Sequence, residues 1–257
     1  MASRSIGVRD EASRAYLKRI APGAEIGLVP DTAFSLSKIW PLAAETNDFV
    51  AWRASLDLHG PYAVVQATAA MEPYRAAINA ALQAKGRLAA VLLPICWCHG
   101  DRTQSFSALD ARMHASEAWL PARLISEIIG RSALVITSSL HASITGLVYG
   151  VPVIRVPAFQ VPTDQKYELL RDYEGIVEVS ATAVAVARLL NRNHGVERAV
   201  VDTIARVDRH WDDVAEMISG TRPPQQDPGM TTKLQMFWKE CAELDPQTRS
   251  TFAGHAR

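Results

Sequence analysis

The strongest constraint on this chain is an alternation of two periods. Apolar runs of strand length recur at residues 63–66, 88–93, 133–137 and 152–156. Between them lie longer stretches, such as 71–85 and 120–129, whose apolar residues return every three or four positions, as one buried helix face requires. Each helical stretch then meets a glycine (Gly86, Gly130, Gly150), a normal stop before the next strand. Strands that alternate with helices pair in parallel, because parallel neighbours need a long crossover between them. The expected fold class is α/β, a Rossmann-like parallel sheet occupying residues 56–220.

The flanks read differently. Ile6-Gly7-Val8-Arg9 reads as a strand running straight into a helix from Asp10 to Ile20, and Ile26-Gly27-Leu28-Val29 as a second short strand ending at Pro30-Asp31. One and a half such units are too few to close a core. Residues 1–55 are therefore expected to be the remnant of an N-terminal lobe plus a crossover, with the chain beginning mid-domain. Residues 221–257 read as a Pro- and Gln-rich linker followed by a helical tail with Leu234, Phe237, Trp238 and Cys241 on one side.

Composition narrows the partners. Lys+Arg and Asp+Glu balance at 27 each, so no global field draws the chain to nucleic acid. No apolar run approaches the roughly 20 residues of a membrane span. Three cysteines, Cys96, Cys98 and Cys241, argue against a disulfide scaffold and fit a reducing cytoplasm. The cluster Cys96-Trp97-Cys98-His99 lacks the second ligand pair that structural zinc needs, so no metal is expected there. Its position is more informative than its composition. It follows the run at 88–93, which places His99 and Asp101 at the rim of the sheet's carboxyl edge, where one of them contacts a ligand or, alternatively, the stretch is a surface loop with an incidental histidine. His114, His194, His210 and His255 are expected to be solvated, His59 to sit in a turn, and Trp40, Trp52 and Trp119 to pack at element junctions.

The most informative stretch is 133–156, a strand, a polar turn, a short helix and another strand. Open α/β sheets place ligands at the carboxyl ends of their strands, which is where the turn Ser138-Ser139-Leu140-His141 falls. Ser138 or Ser139 can cap the helix, whose first amides and dipole favour phosphate or carboxylate. His141, in the first helical turn, can hydrogen-bond an anion and can also hand over a proton. Read purely as structure, the same residues are a helix cap beside a half-exposed histidine.

Residues 135–144, continuing to Gly150-Val151-Pro152-Val153-Ile154, resemble the signature of the polysaccharide pyruvyl transferase family: an apolar strand, Arg-Leu-His, a small-residue helix, then Gly-Val-Pro-Val-Ile. Val8-Arg9-Asp10-Glu11-Ala12-Ser13 resembles the family's Val-Arg-Asp-x-x-Ser, and Pro30-Asp31-Thr32-Ala33-Phe34 its Asp-Pro-Ala-Phe. Asp164-Gln165-Lys166-Tyr167 resembles its Lys-containing helix start. The resemblance covers residues 6–190. It implies facing Rossmann-like lobes of the GT-B kind, with this chain supplying a C-terminal lobe and an incomplete N-terminal one that lacks the family's Gly-rich opening. It also implies transfer of a pyruvyl group from phosphoenolpyruvate to a saccharide acceptor, forming a ketal, with no redox cofactor and no metal. His141 would then act on the donor. Arg9 would contact its phosphate or carboxylate, Lys166 would add a second cation, and Asp31 is a weaker candidate because an Asp after Pro often makes a turn. The family's Arg before Leu-His is Ser139 here, which removes a charge. A GT-B glycosyltransferase using a nucleotide sugar, and a non-catalytic remnant, are the alternative readings; a second lobe from another polypeptide or a second copy of the chain stays open.

Overall fold

A computed structural model describes residues 6–96, 100–102, 109–116, 119–157, 165–192 and 195–219. The expected linker and tail at 221–257 lie outside the described residues. The chain divides into two compact units. The smaller holds the described residues up to Pro30 and from Arg209 onward, and the larger is Asp31–Asp208.

In the smaller unit, β1 (Ile6–Val8) and β2 (Ile26–Leu28) pair in parallel, Ile6 opposite Ile26. Helix α1 (Glu11–Ile20) joins them. Its start is fixed by Asp10, whose carboxylate accepts from the Ser13 amide at 2.7 Å and fills one of the donors a helix start leaves over.

The larger unit opens with α2 (Leu36–Ile39) and α3 (Asn47–Ser55), which lead into β3 (Tyr62–Gln66). Then come α4 (Arg75–Ala84), β4 (Ala89–Leu93), β5 (Met113–Ala115), α5 (Ala122–Gly130) and β6 (Leu134–Thr137). The chain continues through α6 (Leu140–Val148), β7 (Val153–Arg155), β8 (Ile176–Glu178), α7 (Ala183–Leu190) and α8 (Arg198–Ser219). All six strands β3–β8 are parallel, in the order β5-β4-β3-β6-β7-β8. The first strand of the sheet is thus central. Two successors add on one side before the chain crosses to β6 on the other, which is the Rossmann winding, and the switch point lies between β3 and β6.

Side chains sort by the two-residue period of a strand. Tyr62 and Val64, Val91 and Leu93, Val135 and Val153 face one core cluster with α5 and α6. Ala63 and Val65, Ala90 and Leu92, Leu134, Ile136 and Ile154 face the other, with Ile78 and Leu82 of α4. Helices therefore cover both faces, which explains why the strands read as unbroken apolar runs. Each fully buried Ile or Leu contributes about 1.5–3 kcal/mol. Gly146 lets α6 close on the sheet, since a Cβ there would lie 2.7 Å from the Val153 Cγ2.

Residues 31–55, the expected crossover, pack with the large sheet, where Phe34, Phe49 and Trp52 bury in its core. Two features depart from the sequence reading. Strands β5 and β8, three residues each, are too short to carry a legible period. His114 is not solvated: it lies in β5, 9% exposed, and its Nδ1 donates to the Leu56 carbonyl at 2.7 Å. Among the described residues no helix is long and apolar enough to cross a membrane.

Candidate functional site

The switch point is built around one amide side chain. Gln66 ends β3 and is 3% exposed. Its Oε1 accepts from the Thr137 hydroxyl at 2.7 Å, the Ser138 amide at 2.9 Å and the Ser138 hydroxyl at 3.1 Å. Its Nε2 donates to Asp101 Oδ2 at 2.8 Å. That same carboxylate oxygen accepts from the Ile95 and Cys96 amides at 2.9 and 2.8 Å. A chain of buried hydrogen bonds thus runs from the segment after β4, through the end of β3, to the turn after β6. Buried polar groups persist only when satisfied, so a network of this kind fixes the turn in one arrangement. Asp101 Oδ1 is the exception, buried without a hydrogen-bond partner among the described residues.

The turn is held from its other side as well. The Tyr167 hydroxyl donates to the Ser138 carbonyl. The guanidinium of Arg155, one strand over at the end of β7, lies 4.3 Å from the Tyr167 ring centroid and pairs with Glu178. Ser139 caps α6, its hydroxyl accepting from the Ala142 amide at 3.3 Å, while its own amide donates to Thr137 Oγ1 at 2.9 Å. By helix geometry the amides of Leu140 and His141 have no intrahelical acceptor.

From this rigid base one side chain projects. Every residue of α6 is buried except His141. Its imidazole is 67% exposed, and Nε2 stands 3.6 Å from Oδ2 of Asp31, whose side chain is 9% exposed. Asp31 Oδ1 accepts from the Ala33 amide at 3.0 Å and so caps the turn at Thr32–Ser35. The expected turn role and a pairing with His141 fall on different oxygens of one carboxylate.

The other sequence candidates are placed as follows. Ser138 is 6% exposed and committed to Gln66, and Leu140 is 4% exposed and packs into the core, so neither side chain faces solvent. Asp101, 1% exposed, reaches the turn only through Gln66. Arg9 follows β1 in the smaller unit, 40% exposed, with Nε 3.8 Å from the Asp10 carboxylate. Lys166 lies in the 3-10 helix Gln165–Leu170, its side chain outside the described set, as is all of His99. The sequence reading missed Gln66, Thr137, Tyr167 and Arg155. A signal for Gln66 existed in retrospect, a lone amide closing an otherwise apolar run.

A sequence profile of the polysaccharide pyruvyl transferase family matches residues 2–157, more than half of the chain. The chain belongs to that family. The matched span holds Arg9, Asp31, Gln66, Asp101 and the whole of the strand-turn-helix at 134–148, while the Lys166 segment lies beyond it. No curated protein matches this family member. Among solved structures it is similar to the UDP-GlcNAc 2-epimerase of Methanocaldococcus jannaschii in complex with UDP-GlcNAc and UDP, with a TM-score of 0.56 at 13% identity, over 83% of this chain and 61% of that one. It is also similar to a putative UDP-N-acetylglucosamine 2-epimerase from Listeria monocytogenes, with a TM-score of 0.51 at 12% identity, over 88% and 62% of the two chains. The chain thus spans about three fifths of the length of these structures. At such identity the likeness is one of fold, the helix-flanked parallel sheet of the GT-B enzymes.

Proposed function

We propose that this pyruvyl transferase family member moves the pyruvyl group of phosphoenolpyruvate onto hydroxyls of a saccharide, forming a ketal. The observation that carries the reading is His141. It is the one exposed side chain of α6, at the switch point of the sheet, and the resemblance sets it at the family's Leu-His. A side chain so placed is held in register by the buried turn beneath it and is open to a ligand above.

In this reading an imidazolium at His141 gives its proton to the methylene carbon of the donor. A sugar hydroxyl adds to the neighbouring carbon and its proton returns to the imidazole. A second hydroxyl displaces phosphate, which leaves with the remaining proton. The donor carries a phosphate and a carboxylate, and the helix-start amides of Leu140 and His141, with Lys166 as the cation the resemblance implies, supply complementary donors and charge. Ser139 adds a hydroxyl where the family has a guanidinium.

The purified protein is incubated with phosphoenolpyruvate and a panel of sugars and glycolipids, and phosphate release is followed. Release that requires an acceptor, yields a pyruvylated product and is lost in His141→Gln supports transfer. Turnover of a nucleotide sugar instead moves the assignment to glycosyl transfer. Binding of phosphoenolpyruvate without release in any mixture marks the chain as a binding remnant.

A further inference from the structure

The carboxylate facing His141 is unusual in its surroundings. The Asp31 side chain is 9% exposed while its partner ring is 67% exposed, so the buried member of the pair is the carboxyl group. Burying a carboxylate costs free energy unless donors meet it. One donor is the Ala33 amide on Oδ1. The other oxygen points to the imidazole at 3.6 Å, the loose range in which catalytic pairs stand before a ligand tightens them. The backbone on both sides is fixed: Asp31 begins the Thr32–Ser35 turn, Phe34 is 1% exposed in the core, and α6 is buried on every other side. Neither partner's backbone needs to move for the two side chains to meet.

We propose that Asp31 is the positioning residue of His141, accepting a hydrogen bond from its Nε2 and leaving Nδ1 as the nitrogen that serves the donor. The proposal rests on the transfer reading above for what Nδ1 does, but not for the pairing itself. An exposed imidazole on a helix can rotate about two bonds; a carboxylate on Nε2 selects one ring orientation and one tautomer and stabilises the ring once it carries a proton. During protonation of the methylene carbon, the N–H on Nε2 stays on the imidazole and bonds to Asp31. The proton that moves is the one on Nδ1, and it is replaced from the attacking hydroxyl. Asp31 touches no reacting atom.

Asp31→Asn keeps an acceptor for the Ala33 amide and removes the charge. If that variant fails to fold, Asp31→Ser keeps a cap oxygen and loses the reach. The first readout is independent of activity: the ring 15N resonances of His141, assigned by their absence in His141→Gln. Nε2 is expected to shift in Asp31→Asn and to stay in place in Asp208→Asn, a control whose carboxylate pairs with Lys38 instead. An Nε2 resonance that ignores Asp31 overturns the proposal, and does so even in a protein that turns over phosphoenolpyruvate normally. The second readout is kinetic. In Asp31→Asn, kcat is expected to fall roughly 10-fold or more, short of the roughly 10²–10⁴-fold that general acid catalysis itself supplies, with KM for phosphoenolpyruvate within about twofold of wild type. A loss carried wholly by KM overturns the positioning role. A shifted Nε2 in a protein that releases phosphate with no acceptor supports the pairing and overturns the transfer reading instead.

Discussion

Gln66 and Ser138 are joined twice, the amide oxygen of the one accepting from the backbone N–H of the other at 2.9 Å and from its hydroxyl at 3.1 Å. With Thr137 on the same oxygen at 2.7 Å, three donors at the carboxyl end of β6 depend on one side chain from β3. Gln66→Leu fits the same volume and satisfies none of them. Each polar group left buried and unpaired costs about 1–3 kcal/mol, so a clear fall in the urea midpoint is expected. Activity should fall further than stability, because the start of α6 loses its anchor. A leucine variant with wild-type stability would show that the network is not what fixes the turn.

Ser139 has two roles that substitution can separate. As cap of α6 it accepts from the Ala142 amide, and Ser139→Ala should cost about 0.5–2 kcal/mol in unfolding free energy. Ser139→Arg loses the same cap but supplies the guanidinium that the resemblance implies before Leu-His. A charged hydrogen bond contributes about 1.5–3 kcal/mol, so affinity for phosphoenolpyruvate should rise by roughly tenfold or more, read by calorimetry, while the thermal midpoint falls as it does in the alanine variant. Unchanged donor affinity in the arginine variant would place the donor's anionic groups elsewhere.

The sheet was legible in the sequence because its central strands are buried on both faces and carry no polar interruption: Val64, Val65, Val91, Leu134, Val135 and Ile136 are all within 1% of fully buried. The edge strands β5 and β8 were not, since three residues cannot show a period and His114 looks polar until its Nδ1 finds the Leu56 carbonyl. At the site, the cap at Ser139 followed from local chemistry alone. The links made by Gln66 did not, because Thr137 and Asp101 are 71 and 35 residues away from it in the chain. In the sequence Asp31 is only a weaker candidate because of its turn position, and Oδ1 does cap the turn; the approach of Oδ2 to His141 depends on tertiary packing that no local pattern encodes.

Glu127 ties α3 to α5 and gives the fold an acid-sensitive joint. Burial pushes its carboxyl up, but the Thr46 hydroxyl and amide and the Arg131 guanidinium donate to it, and the net effect holds it below the usual carboxylate range. A group whose value is lower in the folded chain than in the unfolded one stabilises the fold above the unfolded value. That contribution is lost as pH falls through the folded one. Glu127→Gln should therefore be less stable than wild type at neutral pH, and the gap should narrow on acidification, as urea midpoints measured across a pH series will show. Parallel pH curves for the two proteins would remove Glu127 from the account.

Gly150 and Gly86 end helices in the same left-handed region, with φ of +72° and +98°, but their surroundings differ. A Cβ at Gly86 would meet nothing within 4 Å, whereas one at Gly150 would lie 2.6 Å from the Gly195 carbonyl carbon and 2.9 Å from the Gly195 and Val196 nitrogens. Both alanine variants carry the left-handed penalty of about 1–2 kcal/mol. Gly150→Ala must in addition displace backbone, which cannot rotate aside as a side-chain tip can. It also strains the turn that delivers β7 to the sheet, where the Val151 amide donates to the Gly146 carbonyl at 2.8 Å. The loss in Gly150→Ala should exceed that in Gly86→Ala by about 1–3 kcal/mol, the range for enforced local strain, when both are unfolded in urea. Equal losses would mean that residues 195–196 yield freely and that the close approach contributes nothing to holding α6 at the sheet.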